Sequence, residues 1–331
     1  MREWQIIAKE KMVIVEKTGD QPRENEIKVK VTKASITSTD IALYLEKSDM
    51  PFPIIPSRIA AGLVSEASIT SGYKKGTRVL LSPYLIGKNQ QNNSSSPTKV
   101  LGLDANGFLA DFVIIPEANV YPLPDGVSDE EALFVEYIAL GVKTIEALNI
   151  NKQEYVAIFG ANALSNIIAQ LAIYYKAIPI IIDKDEEKLK VAEKSGIYYT
   201  INSDKENFKN KVKEITGGKY ANSTVFACRA TQDPPQAFEI TAYGGKVGII
   251  GYNRYLNKLN ADLRPILLKR LSVIGINSGV GQIDTALNLL ANRAISVTQL
   301  INKSIDFEEA EAYFKESSEF QDKYLKIIVN C

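Results

Sequence analysis

The chain is 331 residues long, enough for two domains, and its 39 Lys+Arg are balanced by 39 Asp+Glu, so it carries no net charge. That balance excludes the electrostatic footprint of a nucleic-acid or anionic-membrane binder. The absence of histidine, with only two cysteines at Cys228 and Cys331, excludes imidazole general-base chemistry and any zinc site of the usual thiolate–imidazole kind.

The N-terminal stretch Met1–Gln5 has no apolar core of a signal peptide, and no apolar run reaches the roughly 18 residues that span a bilayer. Two unpatterned thiols argue against a disulfide framework and fit a cytoplasmic protein. The alternation in Glu26-Ile27-Lys28-Val29-Lys30-Val31 predicts a half-buried strand. Arg78–Leu81 and Phe112–Ile115 are further short β-rich runs, and Pro51, Pro53, Pro56, Pro83 and Pro97 punctuate the segment with turns. The first third therefore reads as an irregular β-barrel with long loops, one of them the Asn/Ser-rich stretch Asn89–Ser96.

After Pro122–Gly126 the pattern changes. Ser128-Asp129-Glu130-Glu131 has the N-cap and acidic first turn of a helix start. Strands at Tyr155–Phe159, Pro179–Asp183, Val225–Ala227, Val247–Ile250 and Val273–Ile276 then alternate with helices at Ser165–Ala177 and Glu186–Ser195. Short apolar runs separated by helices predict a parallel sheet covered on both faces. Helices around Thr285–Ala291 and Glu308–Ser317 and a last strand at Lys326–Val329 complete the chain.

The strand Tyr155–Phe159 runs into Gly160-Ala161-Asn162-Ala163-Leu164-Ser165 and then a helix, and Asp183 closes the second strand 23 positions after Gly160. This is the layout of a dinucleotide-binding βαβ unit, with Gly160, Asn162, Ala163 and Leu164 facing the pyrophosphate and Asp183 the ribose. A carboxylate there repels a 2′-phosphate, which favours NAD(H) over NADP(H). Only the first of the three fingerprint glycines is present. Asn162 stands at the second, where a bare backbone lets the pyrophosphate approach; asparagine tolerates positive φ but adds a side chain, and Ser165, small enough for helix–strand packing, stands at the third. Loss of cofactor binding is the alternative that this erosion leaves open.

Several ordered segments resemble the medium-chain dehydrogenase/reductase family, the zinc-type alcohol dehydrogenases and their zinc-free quinone reductase relatives. They are Glu26–Val31 ("EVLVKV"), Ala34–Asp40 ("ASGICGTD"), Pro56–Gly62 ("PGHEAAG"), Gly107–Val113 ("GGFAEYV"), Tyr121–Ser128 ("KLPDGVS") and Gly244–Val247 with Gly251 ("GGRVVLVG"). The resemblance implies an α/β protein: a Rossmann doubly wound parallel sheet at 137–277 and a GroES-like catalytic β-barrel made of 1–136 and 278–331. It adds Gly251 to the cofactor-binding residues. It implies a small-molecule substrate in a cleft between the domains, and a homodimer paired through the strand around Val273–Ile276.

The chain departs from the family at the metal. The positions of the zinc ligands in "ICGTD" and "GHE" are Thr37, Arg58 and Ile59, and Glu136 matches a later acidic position. The lobe that holds a structural zinc in relatives corresponds to 84–100 and contains no cysteine. Both zinc ions are expected to be absent. Arg58 is expected to fill the volume of the catalytic ion and pair with Glu136, either as an electrophile toward a substrate carbonyl or as a purely structural ion pair. Thr39 stands where relatives carry the hydroxyl of a proton relay; it is read either as a substrate hydrogen-bonder or as a turn residue capping a helix through Asp40. Tyr44 and Tyr137 are candidate proton donors, but with 16 tyrosines in the chain packing is the simpler role for each. Cys228 reads as a buried structural thiol. Catalytic candidates are thus Arg58, Thr39 and Glu136.

Two functions are compatible with these residues. One is a zinc-independent NAD(P)(H)-dependent oxidoreductase acting on a small carbonyl, enone or quinone. The other is a catalytically silent paralogue that binds a nucleotide, a metabolite or a partner.

Overall fold

A computed structural model describes residues 1–45, 52–85, 99–227, 235–250, 262–301, 303–319 and 326–331. The Asn/Ser-rich stretch, Cys228 and Gly251 lie outside the described residues. The chain forms two compact units, Met1–Glu136 with Ile301–Cys331, and Tyr137–Leu300. No helix among the described residues is long and apolar enough to cross a membrane.

The first unit is built on a seven-stranded sheet. Its order is Lys303–Asp306, Ile327–Asn330, Glu26–Ile36, Ala60–Ala67, Arg78–Leu81, Val120–Pro122, with Phe112–Pro116 also paired to Glu26–Ile36. The long strand Glu26–Ile36 serves three partners because its register against Ala60–Ala67 shifts twice, and such bulges bend a strand enough to curl a sheet toward a barrel. Ile27, Val29 and Val31 point into the core with no exposure. The intervening Lys28 is also buried, its ammonium on Glu66 at 3.0 Å. An N-terminal hairpin, Arg2–Ala8 with Lys11–Glu16, adds Trp4, Ile6 and Met12 to this core.

The second unit holds a six-stranded, wholly parallel sheet. Its order is Tyr199–Asn202, Ile178–Asp183, Tyr155–Phe159, Ala221–Phe226, Thr241–Ile250, Ser272–Ile276. In chain order this is 3-2-1-4-5-6, so the winding reverses between Tyr155–Phe159 and Ala221–Phe226, the place where doubly wound sheets bind ligands. The run Ile180-Ile181-Ile182 is fully buried, as a central parallel strand requires. Ser272–Ile276 forms one edge, and the preceding helix Arg264–Lys269 exposes Leu267 and Leu268. The fold is therefore α/β, a Rossmann sheet joined to a GroES-like barrel.

The division between units differs from the expected one at its second crossing. Residues 278–300, expected with the barrel, belong to the second unit. Helix Ile283–Ala291 buries Ile283, Ala286, Leu287 and Leu290. The Gln170 carboxamide clamps the backbone of Ser296 from both sides, donating to its carbonyl at 2.9 Å and accepting its N–H at 2.8 Å. Gly279 approaches Ala139 so closely that a Cβ there would lie 2.6 Å from Ala139 atoms. Such contacts at long sequence separation have no local sequence signature.

Candidate functional site

The nucleotide-type turn in the second unit starts at Gly160, whose φ of +92° needs a glycine. Asn162 does not use the positive φ that asparagine tolerates. Its φ is −73°, ordinary extended backbone, and it is the N-cap of helix Ala163–Tyr174. Its Oδ1 accepts the Ser165 N–H at 3.0 Å and its Nδ2 donates to the Ala227 carbonyl at 2.8 Å. The asparagine thus replaces the glycine because the position needs a cap, not a left-handed backbone.

Asp183 is buried and accepts two backbone N–H groups, from Ala161 at 2.6 Å and from Asp185 at 2.9 Å. It ties the end of the second strand to the turn after the first. The N–H groups of Ala163 and Leu164 make no hydrogen bond among the described residues. Ser165 Oγ and Asn166 Oδ1 are buried without a hydrogen-bond partner among those residues. Two unspent N–H groups at the positive end of a 12-residue helix fit a pyrophosphate. Residues Ala163, Leu164 and Asp183 would hold such a cofactor. The Lys184–Lys188 run starts the next helix, capped by Asp185.

The first unit contains a buried charged cluster. Arg58 stands in the loop before strand Ala60–Ala67, and Glu136 opens helix Val135–Ala147. The guanidinium Nη2 donates to Glu136 Oε1 in a salt bridge whose side chains are 13% and 3% exposed. The second oxygen, Glu136 Oε2, is buried with no hydrogen-bond partner among the described residues.

The loop that carries Arg58 is held by its neighbours. Ser57 has a left-handed φ of +74°, donates its N–H to Asp40 Oδ1 at 2.7 Å, and accepts the Phe108 N–H at 3.0 Å. Gly107 packs so tightly on the Ser57 carbonyl that a Cβ would lie 2.0 Å away. Asp40 is fully buried; burial pushes its carboxyl up, against hydrogen bonds from Thr37 and Ser57 and the charge of Arg58.

Thr39 is half-buried in the first turn of helix Ser38–Tyr44 and does not cap it. The cap is Thr37, whose N–H and hydroxyl both donate to Asp40 Oδ2, at 2.7 and 2.6 Å. Tyr44 is buried and donates to the Glu10 carbonyl at 2.9 Å, a packing role. Tyr137 is half-buried one residue past Glu136.

Sequence reasoning missed one member of the cluster. Lys326 is 2% exposed, with its ammonium 5.3 Å from the centre of the Phe134 ring. Burial pushes its ammonium down to about 8, with Glu136 and Asp40 pulling up and Arg58 pushing down. A lysine heading the apolar run Ile327-Ile328-Val329 was the available signal.

The family profile described as "Alcohol dehydrogenase GroES-like domain" matches residues 23–125, and the one described as "Zinc-binding dehydrogenase" matches 163–292. The two units carry, in order, the two halves of one architecture. The chain belongs to the medium-chain, zinc-type alcohol dehydrogenase family. An uncharacterized zinc-type alcohol dehydrogenase-like protein from Haemophilus influenzae is 26% identical over 96% of this chain and 94% of its own. Two solved structures share the fold. A short chain alcohol dehydrogenase from E. coli CFT073, complexed with NADH, has a TM-score of 0.89 at 20% identity, covering 100% of this chain and 99% of its own. A proposed zinc-binding dehydrogenase from Sinorhizobium meliloti, bound to NADP, has a TM-score of 0.90 at 19% identity with the same coverage.

The donors of the charged cluster do not fit zinc. The Thr37 hydroxyl is engaged by Asp40, Ile59 is apolar and fully buried, and a guanidinium faces Glu136. Among the described residues no three His, Cys, Asp or Glu are grouped to hold an ion. A fixed cation beside the one matching carboxylate opposes a divalent metal by Coulomb repulsion.

Proposed function

We propose that this family member is a nicotinamide-dependent oxidoreductase that works without zinc on a small carbonyl compound or its alcohol. The Arg58–Glu136 pair carries the reading. Its guanidinium supplies a positive charge at the position where relatives use a metal, and charge aimed at a developing oxyanion in a water-poor site is the strongest lever such a centre has. The bound cofactor would accept or donate the hydride. Ala163 and Leu164 would bind its pyrophosphate, and Asp183 would take the ribose hydroxyls and disfavour a 2′-phosphate, so NAD(H) is the expected partner over NADP(H). Thr39 and Gly251 are carried as further substrate- and cofactor-contacting residues from the family pattern. The open edge at Ser272–Ile276, beside exposed Leu267 and Leu268, supports a homodimer paired edge to edge.

The test is a titration with NADH and NADPH followed by melting temperature, since a ligand of the native state raises the midpoint by mass action. A shift with NADH, together with hydride transfer that Arg58→Ala abolishes, supports the proposal. No shift at millimolar cofactor favours a second reading, a silent nucleotide-fold paralogue. The Asn162 carboxamide, which already takes one N–H of the helix end, is the feature that favours that reading.

A further inference from the structure

We infer that Glu136 is the proton acceptor of this centre. The inference rests on the cofactor-dependent reading above and extends it.

The sequence offers no histidine to take a proton from an alcohol. The structure offers two buried carboxylates in one cluster, and they differ in how their oxygens are used. Asp40 has both oxygens committed: Oδ1 to the Ser57 N–H, Oδ2 to the N–H and the hydroxyl of Thr37. It shapes the loop and has no role to spare. Glu136 has only Oε1 committed, to Arg58. Its Oε2 is buried and makes no hydrogen bond among the described residues, while the Lys326 ammonium acts on Glu136 through its charge. Buried acceptors nearly always have a donor, and an exception in a native site calls for a ligand that brings one. The alcohol's own O–H is such a donor.

The neighbours of Glu136 make the transfer productive. An oxygen that donates to Oε2 lies beside the guanidinium held on Oε1, so the negative charge that grows on it is met by Arg58. Lys326 adds a second buried cation on the same side chains, with Asp40 as the remaining charge of the cluster. In the oxidative direction the substrate O–H bond breaks and its proton goes to Glu136 Oε2. The carbon's C–H bond breaks with its electron pair, the hydride going to the oxidised nicotinamide, and the C–O bond becomes C=O. In the reductive direction the protonated carboxyl returns the proton to the new alkoxide. A quinone takes a hydride without needing a base, so an organised acceptor would be superfluous there.

The experiment uses the full chain with NAD⁺ and a panel of small secondary alcohols including 2,3-butanediol, with NADH and the matching ketones, and with NADH and 1,2-naphthoquinone. The wild type is expected to interconvert at least one alcohol–ketone pair. Glu136→Gln keeps an oxygen for Arg58 but no basic one, and is expected to lower kcat about 100-fold or more in both directions, with the NADH-induced melting shift retained. In the wild type with NAD⁺, the poorly oxidised alcohol trifluoroethanol is expected to raise the melting midpoint further, and this increment should vanish in Glu136→Gln. Should that variant not fold, Glu136→Asp keeps the charge and draws the carboxylate back by one methylene; it is expected to lower kcat about tenfold or more at unchanged cofactor binding. Naphthoquinone reduction without turnover of any alcohol or ketone overturns the inference, as does an alcohol oxidation rate within about threefold of wild type in either variant. Absence of any melting shift with NADH or NADPH is a separate outcome, and refutes the cofactor reading beneath it.

Discussion

Asn162 and Ser165 face each other across the first turn of the nucleotide-type helix, the asparagine Oδ1 taking the serine N–H at 3.0 Å. The same side chain reaches the Ala227 carbonyl, so one residue ties together the ends of the two strands between which the sheet reverses. Asn162→Gly removes both bonds. It is expected to lower the melting midpoint by about 2–4 °C, the equivalent of about 1 kcal/mol, mostly from the lost bond to Ala227 because glycine is itself a fair cap. At the proposed cofactor site it would also bare the backbone toward the pyrophosphate, so the NADH-induced shift should grow. Differential scanning fluorimetry with and without cofactor checks both.

Removing Asp183 has two separable consequences. Asp183→Ala leaves the Ala161 and Asp185 N–H groups without their acceptor, at a cost of about 1–3 kcal/mol for each that water does not reach. At the proposed cofactor site it would also remove the charge that opposes a 2′-phosphate. The variant should melt lower, and its NADPH-induced shift should approach the NADH one.

Arg58→Met removes the hydrogen-bonded counter-charge of buried Glu136 and leaves the Lys326 ammonium to oppose it, which is expected to cost up to about 3–5 kcal/mol. The double change Arg58→Met with Glu136→Leu should recover part of that loss, because neither member of the pair is left unpaired although Lys326 loses the attraction of Glu136. Chemical denaturation of the four proteins in the cycle gives the coupling energy.

Lys326 makes stability depend on alkaline pH. Its pKa falls from an ordinary 10.5 to about 8 in the fold, so the fold disfavours the charged form. Below pH 8 both folded and unfolded chains hold the proton, and the full penalty of about 3 kcal/mol applies. Between about 8 and 10.5 the unfolded chain binds more of the proton, so this group's contribution to stability rises with pH. Lys326→Met should abolish that rise and melt higher than wild type at pH 7. Parallel melts across pH 7–10.5 compare the two directly.

Ser57 holds a left-handed backbone of φ +74° immediately before Arg58. Ser57→Gly relieves that strain and loses only a long hydroxyl contact to the Ile59 carbonyl at 3.3 Å. The net gain is expected at up to about 1 kcal/mol, read as a raised denaturation midpoint.

The strands were legible wherever burial follows a local period. Tyr155–Phe159 and Arg78–Leu81 have the expected bounds because each is a short apolar run cut off by turn residues. Helix Val135–Ala147 gave little such signal: Ile138, Ala139, Leu140 and Val142 are all buried, and its exposed polar edge is confined to Lys143 and Glu146 near its end. The contact between Arg58 and Glu136, 78 positions apart, was legible only through the family pattern. Lys326 joins them from the far end of the chain, and neither period nor motif announces such a meeting. Asn162 was legible as a lost glycine but not as a cap, since one residue type serves both purposes.

The cations of this centre are part of the polypeptide. Guanidinium and ammonium groups cannot be stripped by a chelator, exchanged for a competing ion, or lost when metal is scarce. Arg58 and Glu136 also present no sulfur to peroxide. Any catalysis at this pair would be available as soon as the chain folds, with no loading step between synthesis and use.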